Sequence, residues 1–406
     1  MTVLAGIDWV GWILLVARVA AIFFAMLITV VLVIWMERKV VADMQLRPGP
    51  NRAGPFGLLI TLADGAKLFF KEGIRPVTAD VPVYLVAPLA AAVPALLAFA
   101  VIPFGPGFRA FGHQVPFQIT DLSVGVLWIL AMASLAVYGV VLAGWSSGSN
   151  YPLLGAIRAS AQVISYEVGM GLALVAVILY SGTLSMGGVV AVQARHFGTP
   201  GLGWLPKWNL FLQFPAFVLY MTAALAETNR PPFDLPEAET ELVAGHHTEY
   251  SGIKFAMFYL AEYMQMVTVS AVGVTLFLGG WRGPMFHVVP WLWPTVWFFV
   301  KLVAVIYVII WIRATLPRFR YDRLMSFGWK VLIPTGLLWI LITAAAIELP
   351  VVWKGSRFLL FGADARSAFV IGLGTIVVAI LVYPIFVTPV PRPSDAPGPT
   401  EGTATP

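Results

Sequence analysis

A chain of 406 residues that is 59% hydrophobic and only 11% charged, with mean hydropathy +0.86, has too little polar side chain to cover a soluble surface. The absence of cysteine excludes disulfides, cysteine-ligated iron–sulfur clusters and thiolate metal sites within the chain. The formal charge of +5 reads as loop lysine and arginine flanking membrane spans, not as a nucleic-acid surface.

The first apolar run, Val10–Trp35, is too long for a signal-peptide core and has no basic flank before it, so it reads as an uncleaved first span. Further runs of spanning length follow at Val81–Ile102, Val124–Trp145, Ala161–Tyr180, Leu210–Ala226, Ile253–Gly280, Trp291–Ile312, Trp329–Ile347 and Ala368–Phe386. The expected fold is an all-α polytopic membrane protein of about nine transmembrane helices with one interfacial amphipathic helix. That helix lies between the first two spans, where Leu58, Leu59, Leu62, Ala66, Phe69 and Phe70 recur at helical spacing opposite Asp64, Lys67 and Lys71. Before it, Arg47 to Pro55 is a turn-rich, rigid stretch.

Arg38, Lys39, Arg47, Arg52, Lys67, Lys71 and Arg75 follow the first span, Arg158 the third and Arg230 the fifth, and Arg313, Arg318, Arg320 and Arg323 the seventh. The alternate loops carry fewer cations. This bias predicts an external N-terminus and a cytoplasmic C-terminus in the bacterial inner membrane. Residues 1–348 form the expected membrane domain, 349–388 an extension with the ninth span, and 389–406 a proline-rich tail expected to be disordered.

Ionisable groups inside apolar runs are Arg18, Glu167, Glu262 and Lys301, and each costs roughly 2.5–3.5 kcal/mol at the bilayer centre even on a mild scale. At 1.5 Å per residue, Glu167 and Glu262 sit roughly 9–14 Å below the same surface. Ser165, Tyr166, Tyr259, Tyr263 and Gln265 flank them with hydroxyls and amides, the material of a proton relay. The alternative is a pair of buried acids neutralised by fixed partners such as Arg18 or Lys301. Between the fifth and sixth runs lies a second acidic group, Glu227, Asp234, Glu237, Glu239, Glu241 and Glu249, interleaved with proline and apolar residues that favour a folded, partly buried element. Asp234 and Glu237 have the spacing of a capping box. His246 and His247 are adjacent, point apart on a helix and lack a third ligand at an obvious spacing, so no metal site is expected.

Specific motifs then accumulate: Glu37-Arg38-Lys39, Gln45-Leu46-Arg47, Gly49-Pro50-Asn51, Gly54-Pro55, Asp64 with Lys67 and Lys71-Glu72, Ser165-Tyr166-Glu167, Pro232-Phe233-Asp234 through Gly245, Ala261-Glu262-Tyr263 and Arg313 through Arg318. From the first span to about Ile347 the chain resembles the quinone-chamber membrane subunit of respiratory complex I, the proton-translocating NADH:quinone oxidoreductase. The resemblance implies a quinone tunnel entered beside the first span and the amphipathic helix, with Arg38, Asp64, Lys67, Arg313 and Arg318 at chamber positions. It places Glu167, Glu227, Asp234, Glu237, Glu239, Glu241, Glu249 and Glu262 on the acidic path that couples quinone chemistry to pumping. It also implies that the chain has no redox centre of its own. Quinone would be the substrate, iron–sulfur clusters and FMN would sit in partner subunits, and the partners would include peripheral quinone-site, antiporter-like and small membrane subunits.

Two features depart from the family pattern. Ile60 stands where glutamine is usual, and the chain continues past the usual end. Three other readings compete: the homologous component of a membrane-bound hydrogenase, which a quinone-analogue crosslink would separate; a solitary ion or solute transporter, which would purify stably alone; and a passive anchor for peripheral subunits, which explains the basic loops but not Glu167 and Glu262 inside spans.

Overall fold

The computed structural model describes residues 9–110, 112–194, 206–235, 239–284 and 292–352, with 373, 374, 376 and 377. Most of the expected ninth span, the tail, and Glu237, one half of the expected capping box, lie outside the described residues. Glu239 is described in its backbone alone.

The helices are α1 (Trp9–Met44), α2 (Ile60–Phe70), α3 (Val81–Ala98), α4 (Gly125–Ser146), α5 (Asn150–Ser181), α6 (Met186–Val192), α7 (Asn209–Leu212), α8 (Phe214–Glu227), α9 (Glu239–Leu242), α10 (Gly252–Phe277), α11 (Trp293–Thr315), α12 (Tyr321–Phe327) and α13 (Ile333–Val352). Between α3 and α4 a short antiparallel hairpin pairs β1 (Phe108–Ala110) with β2 (His113–Val115), Phe108 opposite Val115. Among the described residues, seven helical stretches are long and apolar enough to cross a membrane: α1, α3 extended to Val101, α4, α5, α10, α11, and Tyr321–Ile347. The last joins α12 to α13 through a π-helical turn at Gly328–Leu332.

The fifth apolar run is the exception to the expected single spans. It breaks at Gln213 (φ −118°, ψ 37°), leaving α7 and the 14-residue α8. Pro215 has no N–H to continue the helical ladder. The Gln213 side chain turns sideways instead, its Oε1 accepting a 2.6 Å bond from Trp339 Nε1. Elsewhere a helix outruns its apolar run. α1 continues to Met44 and so carries Glu37, Arg38 and Lys39, and α5 begins at Asn150, so Arg158 is helical.

α10 is the central helix: 83% of its apolar window is buried, against 28% for α1. Small residues bring its surroundings close. A Cβ on Gly139 of α4 would lie 2.5 Å from the Ala91 nitrogen of α3, and one on Gly144 would lie 2.3 Å from the Ala156 Cβ of α5. α1 turns Trp12, Ile13, Val16, Phe24 and Ile28 outward, an apolar face suited to lipid.

Candidate functional site

The inner end of α1 holds the first element of the site. Successive helical residues are rotated by about 100°, so neighbouring charges can face different environments. Glu37 points inward and is 5% exposed, whereas Arg38 faces α2. The Glu37 carboxylate meets two guanidinium groups, those of Arg313 at the end of α11 and Arg230 in the turn after α8, the latter at 3.6 Å. Tyr263 of α10 donates a 2.5 Å hydrogen bond to its second oxygen. Arg230 reaches on to Glu262, Nε to Oε1 at 3.0 Å, and lies over the Tyr263 ring with 4.4 Å to the centroid. Tyr259 and Tyr263 share a hydrogen bond of 3.2 Å. Three helices and one turn thus meet in a single buried, charge-balanced knot, the arrangement in which buried ions are tolerated.

The turn that carries Arg230 is itself held from several sides. Gln162 of α5 donates to the carbonyls of Ala226 and Phe233, both at 2.8 Å, and the Phe319 N–H donates to Pro232 O at 3.0 Å. Phe233 packs between the rings of Tyr166 and Phe319. Asn229 adopts φ 49°, a left-handed conformation that asparagine accepts more readily than most residues.

Beyond Glu262 the carboxylates continue along the bundle. Gln265, one turn further on α10, donates to Glu227 Oε1 at 2.9 Å. Glu227 is 2% exposed, and its second oxygen has no hydrogen-bond partner among the described residues. Glu167 of α5 accepts from Ser134 of α4 and lies within electrostatic reach of Glu227. Two cavities flank this row. One, lined mainly by Met170, Leu174, Ile129 and their neighbours, reaches Glu227 and Gln265. The other opens on Gln265, Glu262, Tyr259, Thr228, Asn229 and the two histidines.

At the exposed end of α1, Asp64 of α2 joins Arg38 (2.7 Å) and Lys67 (3.2 Å). Burial alone would raise the Asp64 pKa, but the hydrogen bonds from Arg38 and Lys67 outweigh it and hold the carboxyl below its usual value. Arg318 is exposed on the turn after α11, within electrostatic reach of Glu241. Glu241 pairs with Arg158 at 2.7 Å, and that hydrogen bond lowers its pKa. Asp234 lies within electrostatic reach of Glu262. Glu249 is half-buried, and its carbonyl accepts a 2.8 Å bond from Tyr84, whose ring stacks on Tyr250.

His246 and His247 form a helical turn between α9 and α10. Burial depresses both imidazoles, His247 to about 4 and His246 well below its usual value. Each therefore binds a proton more readily when the turn is opened than when it is packed. The turn is fully stable above about pH 6.5 and loses stability as the pH falls toward 4. The hydrogen-exchange protection of residues 245–250, taken relative to the intrinsic rate at each pH, should fall through that window, and His246→Gln/His247→Gln should flatten the response.

The expected relay acids Glu167, Glu227 and Glu262 are brought into one row, and Arg38, Asp64 and Lys67 into one cluster. Neither suggested counter-ion takes part. Arg18 donates to Ile119 O, and Lys301 to the carbonyls of Leu278, Gly280 and Arg282, where it caps the end of α10. The charges at the centre of the cluster, Glu37 and Arg230, are not marked by the sequence as inner-site residues. Glu37 lies just past the apolar run, and Arg230 reads there as a loop cation. The usable signal was their position: an acid and a base each within a few residues of a span end.

Fold and site together define a multi-pass helical membrane protein built around a buried row of carboxylates and arginines. Residues 17–344 match the family described as NADH dehydrogenase. Proteins from Frankia casuarinae and from Frankia alni, each named as the H subunit of NADH-quinone oxidoreductase, are both 52% identical over 375 residues, covering 91% of this chain and 78% of the relative. The chain belongs to the NADH dehydrogenase family. The match to these relatives covers more of the chain than residues 1–348 hold, so they share part of its C-terminal extension.

Proposed function

We propose that this chain is the membrane subunit of a proton-translocating NADH:quinone oxidoreductase that walls the quinone-access chamber and carries part of the acidic coupling path. The observation that carries this reading is the unbroken sequence of contacts from Glu37 through Tyr263 and Arg230 to Glu262, with Gln265–Glu227 and Ser134–Glu167 next along the bundle. One end of that row adjoins the Arg38–Asp64–Lys67 cluster that joins α1 to α2.

In this reading quinone enters beside α1 and α2, past Arg38, Asp64, Lys67, Arg313 and Arg318, and is reduced on peripheral partner subunits. Those partners supply FMN and iron–sulfur clusters; this chain holds no redox centre. Charge changes at the reduced quinone reach Glu37 and its two arginines. Glu262, Glu227 and Glu167 then pass protons toward antiporter-like subunits, with Asp234, Glu237, Glu239, Glu241 and Glu249 on the adjoining loop. The complex sits in the bacterial inner membrane, with the N-terminus of this chain outside and its C-terminus in the cytoplasm. The cation distribution supports that orientation.

Glu167→Gln or Glu239→Gln should lower quinone-linked proton pumping by about tenfold or more, the scale of losing a proton-transfer group, while the complex still assembles. Pumping measured in inverted vesicles with ubiquinone or menaquinone as acceptor checks this. Wild-type pumping in both variants removes the relay.

A further inference from the structure

Among the described residues, the histidine turn is a buried titratable cluster that the carboxylate row leaves unused. His246 and His247 border a cavity of about 60 Å³ whose other polar walls are Glu262, Tyr259, Gln265, Thr228 and Asn229. A single water needs roughly 10–15 Å³ by the same measure, so the space admits a few waters with several polar partners each. His246 is 8% exposed, and its Nδ1 is buried without a hydrogen-bond partner among the described residues. A polar nitrogen held this way calls for water in the cavity beside it. Both rings are held by aromatic side chains that also line the cavity: His246 meets Phe258 edge-on, His247 meets Phe255, and the two imidazoles stand nearly perpendicular, 4.9 Å apart. Among the described residues no group of three or more His, Cys, Asp or Glu is placed to hold a metal ion. The acidic neighbour on the cavity wall is Glu262, on the same face of α10 as Gln265.

We propose that His246 and His247 are proton-exchange residues that carry protons through this water-filled cavity between Glu262 and the Gln265–Glu227 pair. The proposal rests on the coupling-path reading above. A gap needs bridging there, because Gln265 has no proton to exchange and breaks the row between the two carboxyls. An imidazole bridges such a gap by accepting a proton on one nitrogen and releasing the proton from the other, which leaves the ring neutral and the proton count unchanged. Once Glu262 takes up a proton from the Arg230 side of the row, that carboxyl proton passes by water to one imidazole. The opposite nitrogen gives its proton to water beside Gln265, which lines both this cavity and the one that reaches Glu227; Glu227 takes the proton up, and the imidazole returns to its starting tautomer by proton exchange with the cavity water. The groups facing the pair are consistent with this. α10 contributes Glu262 and Tyr259, α3 and α4 contribute Ala91, Ala136 and Val140, and α5 brings the backbone at Gly155 against His246. The described cavity-lining residues include no lysine or arginine, and the nearest cation, Arg230, is paired with Glu262 behind the cavity wall. Burial keeps both imidazoles weak bases, so neither traps the proton it receives.

The test uses the whole complex in inverted membrane vesicles. Pumping is measured with ubiquinone or menaquinone, and NADH oxidation with ferricyanide reports assembly. His246→Gln/His247→Gln keeps hydrogen-bonding side chains but removes proton exchange, and it should lower pumping on the order of tenfold with ferricyanide activity retained. His246→Ala/His247→Ala should recover several-fold on addition of free imidazole, a response that a purely structural role does not give. If a double variant fails to assemble, His246→Gln and His247→Gln singly carry the same test. Wild-type pumping in the assembled glutamine variants, or no imidazole response in an assembled alanine variant, overturns the proposal. If Glu167→Gln loses pumping while the histidine variants keep it, the histidine proposal falls and the coupling path stands. If all keep it, the path itself falls.

Discussion

Arg230→Met is expected to be the most damaging single substitution in the chain. Arg230 is 4% exposed, and its guanidinium faces Glu37 and Glu262 together. Removing one member of a buried ion cluster leaves its partners uncompensated and costs about 3–5 kcal/mol. Glu37 keeps Arg313, but Glu262 loses its cation. The protein should fall below the stability needed for assembly, seen as loss of the intact complex on native gels and of quinone-linked NADH oxidation. Arg230→Lys should rescue poorly, because a single ammonium does not reproduce the two-sided contact and the stacking over Tyr263. Adding Glu262→Gln to Arg230→Met should restore part of the assembly, since the stranded carboxylate is then neutral, but not the pumping. Restored pumping in that double variant would show that Glu262 lies outside the proton route.

Gly155→Val is expected to disrupt the acidic loop from behind. A Cβ at this position of α5 would lie 2.8 Å from Gly245 Cα and 3.0 Å from the His246 nitrogen. Those are backbone atoms, and they do not swing aside as a side chain would. Overpacking of this kind typically costs about 1–3 kcal/mol. Here it also displaces the turn that carries His246, His247 and Tyr250 against Tyr84. Faster proteolysis within residues 239–251 and reduced pumping should appear together. Gly171→Ala on the same helix provides the control: no atom lies within 4 Å of its added Cβ, so that variant should assemble and pump normally.

Much of the molecule was legible in one dimension. Composition alone required a bilayer, and apolar runs located the spans, because a spanning segment must satisfy its own backbone and face lipid whatever its neighbours are. Glu167 and Glu262 stood out because charge inside an apolar run is costly enough to need a reason. The break at Gln213 did not stand out, since hydropathy averages over a single polar residue and Pro215 is tolerated at a helix start.

What the amino-acid order by itself determined is the membrane-spanning helical architecture and which residues carry charge into it. Only the tertiary structure decided which charges meet. Glu37 and Tyr263 are 226 positions apart yet hydrogen-bonded, Arg230 is the pivot between two acids, and Arg18 and Lys301 serve carbonyl groups instead. The reason is geometric. A side chain's environment is set by the rotation and packing of its whole helix against others, and with about 100° between successive residues even adjacent charges such as Glu37 and Arg38 part company.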